Sequence, residues 1–169
     1  LTGNAGSDTL DGGAGNDRIF AGSLDDSGDS MTGGTGNDEI GGGAGNDTIR
    51  GENGADTLYG GSGDDDIRDE GIDGSANIVW SGSGDDYVFT WTGNDIIGGG
   101  YGSDTLESAS GNNTFYGGKD NGLLNDDLFN SGGGNDTVFG GVGDDTINGE
   151  NGHDLLYNGA GNDSVSAGL

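Results

Sequence analysis

Cysteine is absent from the 169 residues, so no disulfide can cross-link the chain. Lysine and arginine number only four against 31 acidic residues, a net charge of -27 that makes nucleic acid and anionic membrane poor partners. A single histidine, His153, with no cysteine beside it leaves no Ser-His or Cys-His arrangement, and no enzymatic activity is expected. Paired carboxylates are abundant, but each is better explained as a ligand than as a general acid or base. No apolar stretch approaches 18 residues, so membrane insertion is not expected, and no signal peptide is visible. Core-forming residues are scarce as well. Leu, Ile, Val and Phe make up about 18% of the chain, a content that together with the high charge belongs to disordered sequences.

Glycine is abundant, at 43 residues, and it raises the cost of folding because it has the most backbone freedom to lose. A fold therefore needs a large stabilising term beyond its thin core. Metal binding can supply one, since a site absent from the unfolded chain turns binding free energy into folding free energy.

The glycines are ordered by a nine-residue phrase, GGxGxDxU plus one variable residue, where U is a large apolar residue. Its cleanest copies are GGAGNDRIF (Gly12 to Phe20), GGTGNDEIG (Gly33 to Gly41), GGAGNDTIR (Gly42 to Arg50), GGSGDDDIR (Gly60 to Arg68), GGYGSDTLE (Gly99 to Glu107) and GGVGDDTIN (Gly140 to Asn148). In register from Gly3, plain nonamers are interrupted by longer units at 21–32, 69–80 and 117–130, which begin 48 residues apart. Superrepeat units 21–68, 69–116 and 117–166 follow, and the chain reads as a single repeat domain over 1–169. Both ends cut into the repeat, as expected of an excerpt from something longer.

The eighth position reads Leu10, Ile19, Met31, Ile40, Ile49, Leu58, Ile67, Val79, Val88, Ile97, Leu106, Phe115, Phe129, Val138, Ile147, Leu156 and Val165, apolar in all seventeen repeats. A period of nine with glycine at three places excludes an amphipathic helix. The economical alternative is a turn of six residues followed by a strand of about three, whose side chains point out, in and out.

This phrase is similar to the haemolysin-type RTX (repeats-in-toxin) calcium-binding nonapeptide, and the resemblance covers essentially the whole chain. It implies an all-β fold, a right-handed parallel β-roll (β-solenoid) with two nonapeptides per coil and two parallel sheets. It also implies calcium held between loops stacked on one edge, by turn carbonyls of positions one to four and the Asp of position six. That suits calcium, a hard cation that takes six to eight oxygens. Calcium would then replace the missing disulfides as a staple.

With two nonamers per coil, ligands pair with the second neighbour in sequence. One edge should stack Asp8, Asp29, Asp47, Asp65, Asp86, Asp104, Asp127, Asp145 and Asp163. The other should stack Asp17, Asp38, Asp56, Asn77, Asp95, Asn113, Asp136 and Asp154. These rows contain fifteen gaps, and fifteen calcium ions would nearly cancel the charge of -27. Asn77 and Asn113 lack a carboxylate, so the four gaps beside them are expected to be weak, which leaves about eleven good sites. The units around Asp29 and Asp127 lack the glycine lead-in next to their Asp, and their gaps are open to question.

Position nine faces outward and places Phe20, Tyr59, Trp80, Tyr116, Phe139 and Tyr157 on the sheet of the even-numbered repeats; Phe89 alone lies on the other. Ile78, Ile96 and Leu155 at position seven add to that apolar face. Three readings stand: rings stacked to stiffen the sheet, an interface with protein neighbours or an adjoining domain, or a polysaccharide platform. Arg50 and Arg68 should lie near each other with Asp66 neutralising them, and the inserted loops Leu24 to Asp26, Glu70 to Asp73 and Lys119 to Leu124 should project from the turns. The resemblance implies a secreted or cell-surface bacterial protein (S-layer, adhesin or other extracellular assembly) that folds on calcium binding outside the cell. The alternative is a calcium-triggered folding and export module of a larger type I-secreted enzyme or toxin.

Overall fold

The computed structural model describes residues 1–22, 26–118 and 125–169. Among them lie seventeen strands: β1 (Thr9–Ala14), β2 (Arg18–Gly22), β3 (Ser30–Thr35), β4 (Glu39–Ala44), β5 (Thr48–Asn53), β6 (Thr57–Ser62), β7 (Asp66–Asp69), β8 (Ile78–Ser83), β9 (Tyr87–Thr92), β10 (Ile96–Tyr101), β11 (Thr105–Ser110), β12 (Thr114–Gly118), β13 (Leu128–Asn130), β14 (Thr137–Val142), β15 (Thr146–Asn148), β16 (Leu155–Ala160) and β17 (Ser164–Ser166). Odd-numbered strands form one nine-stranded sheet and even-numbered strands an eight-stranded one. Every pairing is parallel, so each coil contributes one strand to each sheet of a β-solenoid. The described residues contain no helix long and apolar enough to cross a membrane.

Register follows the eighth position throughout. Ile40 lies beside Leu58 and Ile97 beside Val79, and the longer units do not disturb the pattern: Leu10 still meets Met31, and Leu106 meets Phe129. An insertion lengthens the turn while the strand holds its place, because a slip of one residue would turn every apolar side chain out of the core. Fourteen of the seventeen eighth-position side chains are fully buried. Leu10 and Leu156 are partly covered and Val165 is 48% exposed, since terminal coils have a neighbour on one side only.

The strands are longer than the three residues expected. Most run to six, carrying on through positions one to three of the next phrase, as in Thr57–Ser62, where Leu58 and Gly60 are both buried. The bend instead falls at the glycines of positions two and four, for example Gly43 (φ 103°) and Gly45 (φ 114°). Among the described residues the three non-glycine residues with positive φ, Asn4, Glu52 and Glu150, all occupy position two. Position one is therefore a second inward-facing place beside position eight, and it lies at the mouth of each turn.

Candidate metal centre

Each turn sets its position-six residue inside the edge of the solenoid. Asp29, Asp38, Asp47, Asp56, Asp65, Asp86, Asp95, Asp104, Asp127, Asp136 and Asp145 are buried, as are Asn77 and Asn113. Asp8, Asp17, Asp154 and Asp163, in the terminal coils, are half-buried. The two rows are those expected from pairing second neighbours, and Asp29 and Asp127 keep their places despite the longer units around them.

The two oxygens of each carboxylate are used differently. Oδ1 accepts a hydrogen bond from the backbone N–H of the position-six residue one coil earlier: Asp29 N to Asp47 Oδ1 at 2.8 Å, Asp38 N to Asp56 Oδ1 at 2.8 Å, Asp86 N to Asp104 Oδ1 at 3.0 Å. Asparagine does this equally well, for Asp56 N donates to Asn77 Oδ1 at 2.8 Å and Asp95 N to Asn113 Oδ1 at 2.9 Å. Only aspartate adds a second anionic oxygen. Oδ2 of Asp29, Asp38, Asp56, Asp65 and Asp104 is buried without a hydrogen-bond partner.

Position one explains why these oxygens have room. A side chain at Gly12 would put its Cβ 2.9 Å from Asp17 Oδ2 and 2.7 Å from the carbonyl oxygen of Gly33, which occupies position one of the next coil. Glycines 33, 42, 60, 99, 117 and 140 stand in the same relation to their own Asp and to the next carbonyl. The absent side chain thus leaves a cradle lined by a carboxylate oxygen and a carbonyl oxygen from adjacent coils. Ser81 and Ser131, at position one, bind that carbonyl with their hydroxyls, Ser81 to Gly99 O at 2.8 Å and Ser131 to Gly149 O at 3.0 Å.

Burial pushes these carboxyls above their ordinary value of 3.8: Asp56 and Asp86 to about 6, Asp65 to about 7 and Asp104 to about 8. The N–H bond to Oδ1 pulls each partly back, and neighbouring carboxylates push it up further. Asp38, Asp95 and Asp136 shift the same way for the same first reason. The protein brings no cation of its own to these rows among the described residues. Arg18 on β2 pairs with Glu39 at 2.8 Å, Arg50 on β5 with Glu70 at 3.2 Å and Arg68 on β7 with Asp66 at 2.7 Å. Lys119 lies outside the described residues.

A row of buried anionic oxygens interleaved with carbonyls suits a hard divalent cation. Among the described residues no three acidic or histidine side chains converge on one point, so the donor set is rich in carbonyls.

Two features escaped the sequence reading. Position five, taken as variable, builds a second ladder that runs the opposite way. Its side-chain oxygen accepts from the position-five N–H one coil later, as in Asn37 N to Asn16 Oδ1, Asp64 N to Asn46 Oδ1 and Asp144 N to Asp126 Oδ1, at 2.8 to 2.9 Å. The recurrence of Asn and Asp there was the available signal. The other feature is Asp69, buried at position one and pushed up to about 8 by burial and then by Asp56, with the amide of Gly71 offsetting part of the rise.

Outside the edges, Phe20, Tyr59, Trp80, Tyr116, Phe139 and Tyr157 are 36 to 48% exposed on the eight-stranded sheet. Four of them form a continuous stack. Trp80 and Tyr116 are 6.1 Å apart, Tyr116 and Phe139 5.2 Å, and Phe139 and Tyr157 4.9 Å, with ring planes within 24°. Trp80 reaches Tyr116 across the intervening strand β10 by lying over Gly98, where any side chain would collide with its ring. Phe20 leans on Gly41 in the same way. Arg50 and Arg68 are register neighbours as expected, and Arg68 also sits 5.1 Å from the centre of the Tyr87 ring. Of the inserted loops, Glu70 to Asp73 exposes Ile72, whereas residues 23–25 and 119–124 lie outside the described residues.

The model of the RTX calcium-binding nonapeptide repeat (4 copies) matches residues 1–28, 32–67, 73–97, 98–121 and 125–165. No curated protein matches the chain.

Proposed function

The chain belongs to the RTX calcium-binding nonapeptide repeat family, and from that premise we propose that it is a structural β-roll of a secreted or cell-surface bacterial protein, folding when calcium enters the gaps between its coils. The observation that carries this reading is the row of buried Oδ2 oxygens without partners on each edge. Buried charges of one sign need a counter-charge, and the described residues have none to spare there. The ligands are the position-six aspartates Asp8 to Asp163 with the carbonyls beside them, which supply only oxygen. In cytosol, calcium lies far below the roughly 10⁻⁴–10⁻³ M at which extracellular modules bind, so the chain stays unfolded; outside, binding drives folding.

The exposed ring stack favours a place in an extracellular assembly, such as an S-layer or adhesin, over a pure export module, which needs no apolar outer face. Circular dichroism during a calcium titration tests the switch. The β-signal should rise cooperatively with calcium and vanish in excess chelator. A chain fully folded in chelator refutes it.

A further inference from the structure

The longer unit 69–80 has exchanged the chemistry of two positions. Position six carries Asn77 where a carboxylate is the rule, and position one carries Asp69 where glycine is the rule. The backbone confirms the placement. Asp69 lies beside Thr90, the position-one residue of the next coil, and Arg50 beside Arg68 puts Gly51 next to Asp69 on the other side.

Asp69 is 2% exposed. Its Oδ2 accepts a hydrogen bond from Asn77 Nδ2 at 2.5 Å and the Gly71 amide lies near the carboxylate, while Oδ1 is buried with no partner in hydrogen-bonding geometry. A Cβ added to Gly51 would stand 2.6 Å from Asp56 Oδ2 and 3.1 Å from Asp69 Oδ1. Two buried anionic oxygens without partners, from adjacent coils, thus flank one small space at the turn edge. Like charges so placed repel strongly unless a cation lies between them. The Asn77 amide, sitting where an aspartate Oδ2 would be, holds the Asp69 carboxylate in place.

Asn113 shows that asparagine alone does not bring this about. Its Nδ2 donates to Ser108 Oγ at 3.0 Å and to Gly111 O at 3.3 Å, so that turn has no acid at position one. The two turns share asparagine at position six but differ in charge.

We propose that Asp69 is the metal-binding carboxylate of the gap between repeats 51–59 and 69–80, replacing the one missing at Asn77, so that this gap takes a calcium ion opposite Asp56. The proposal rests on the calcium reading above and adds a ligand at a position outside the nonapeptide rule. Asn77 is its positioning residue.

The test compares the wild-type chain, Asp69→Asn, and the double variant Asp69→Gly with Asn77→Asp. Bound calcium per folded chain is measured by equilibrium dialysis and atomic emission, with circular dichroism to report folding. The introduced amide would keep an oxygen for the Asn77 bond, so Asp69→Asn isolates the charge. The expected result is one ion fewer per chain in Asp69→Asn and the wild-type number in the double variant, where the acid returns to position six. An Asp69→Asn chain that binds the wild-type number overturns the proposal while leaving calcium binding elsewhere intact. A wild-type chain that binds no calcium overturns the underlying reading too. If Asp69→Asn fails to fold in calcium, the double variant decides: the wild-type count supports the proposal, and a deficit overturns it.

Discussion

Replacing Asp104 by asparagine separates the two jobs of a position-six aspartate. Asparagine retains the Oδ1 acceptor that Asp86 N reaches at 3.0 Å, and exchanges only the buried Oδ2 beside Gly99 and the Gly117 carbonyl. One calcium site at a free concentration a hundredfold above its Kd stabilises the folded chain by about 2.7 kcal/mol; a tenfold weaker site leaves about 1.4 kcal/mol. Asp104→Asn should therefore cost about 1.3 kcal/mol in calcium for each gap weakened in this way. Asp104→Ala should cost about 1 kcal/mol more, because it also loses the ladder bond. Without calcium the balance reverses. Burial has pushed the Asp104 carboxyl up to about 8, so a neutral amide is easier to bury than the charge it replaces. Urea unfolding followed by circular dichroism at a series of free calcium concentrations measures both. The asparagine penalty should grow with calcium and turn into a gain as calcium is withdrawn. An equal penalty at every concentration would mean that aspartate serves only the hydrogen-bonded ladder, and the metal argument fails.

The pH dependence of the calcium-free chain has a definite sign. Asp56, Asp65, Asp69, Asp86 and Asp104 hold protons up to about pH 6 to 8 when folded, against an ordinary value of 3.8. The folded chain thus binds more protons than the unfolded one between about pH 4 and 8, and its stability falls as pH rises through that window. In chelator the chain should be more folded at pH 5 than at pH 8 by circular dichroism; a flat profile contradicts the buried-carboxylate account. Glu52→Gly should raise stability by about 1 kcal/mol, since Glu52 holds φ at 71° at a position where most repeats use glycine. Thermal unfolding in saturating calcium checks it, and an unchanged or lower midpoint counts against the strain.

Much of this architecture depends on local spacing and was therefore legible in the chain. An apolar residue at every eighth position determined which side chains enter the core, and two phrases per coil determined which aspartates share an edge. Even the register across the longer units followed from them, because Leu106 must meet Phe129 whatever the turn between them does. Other features depend on which residues meet across coils, far apart along the chain, and only the tertiary structure could decide them. The inward turn of position one, the position-five ladder, the ring of Trp80 resting over Gly98, and the meeting of Asp69 with Asn77 and Asp56 are of that kind. A repeat specifies what each turn contributes, but a gap between coils belongs to two turns at once. Its charge and its free oxygens are set only when both are in place.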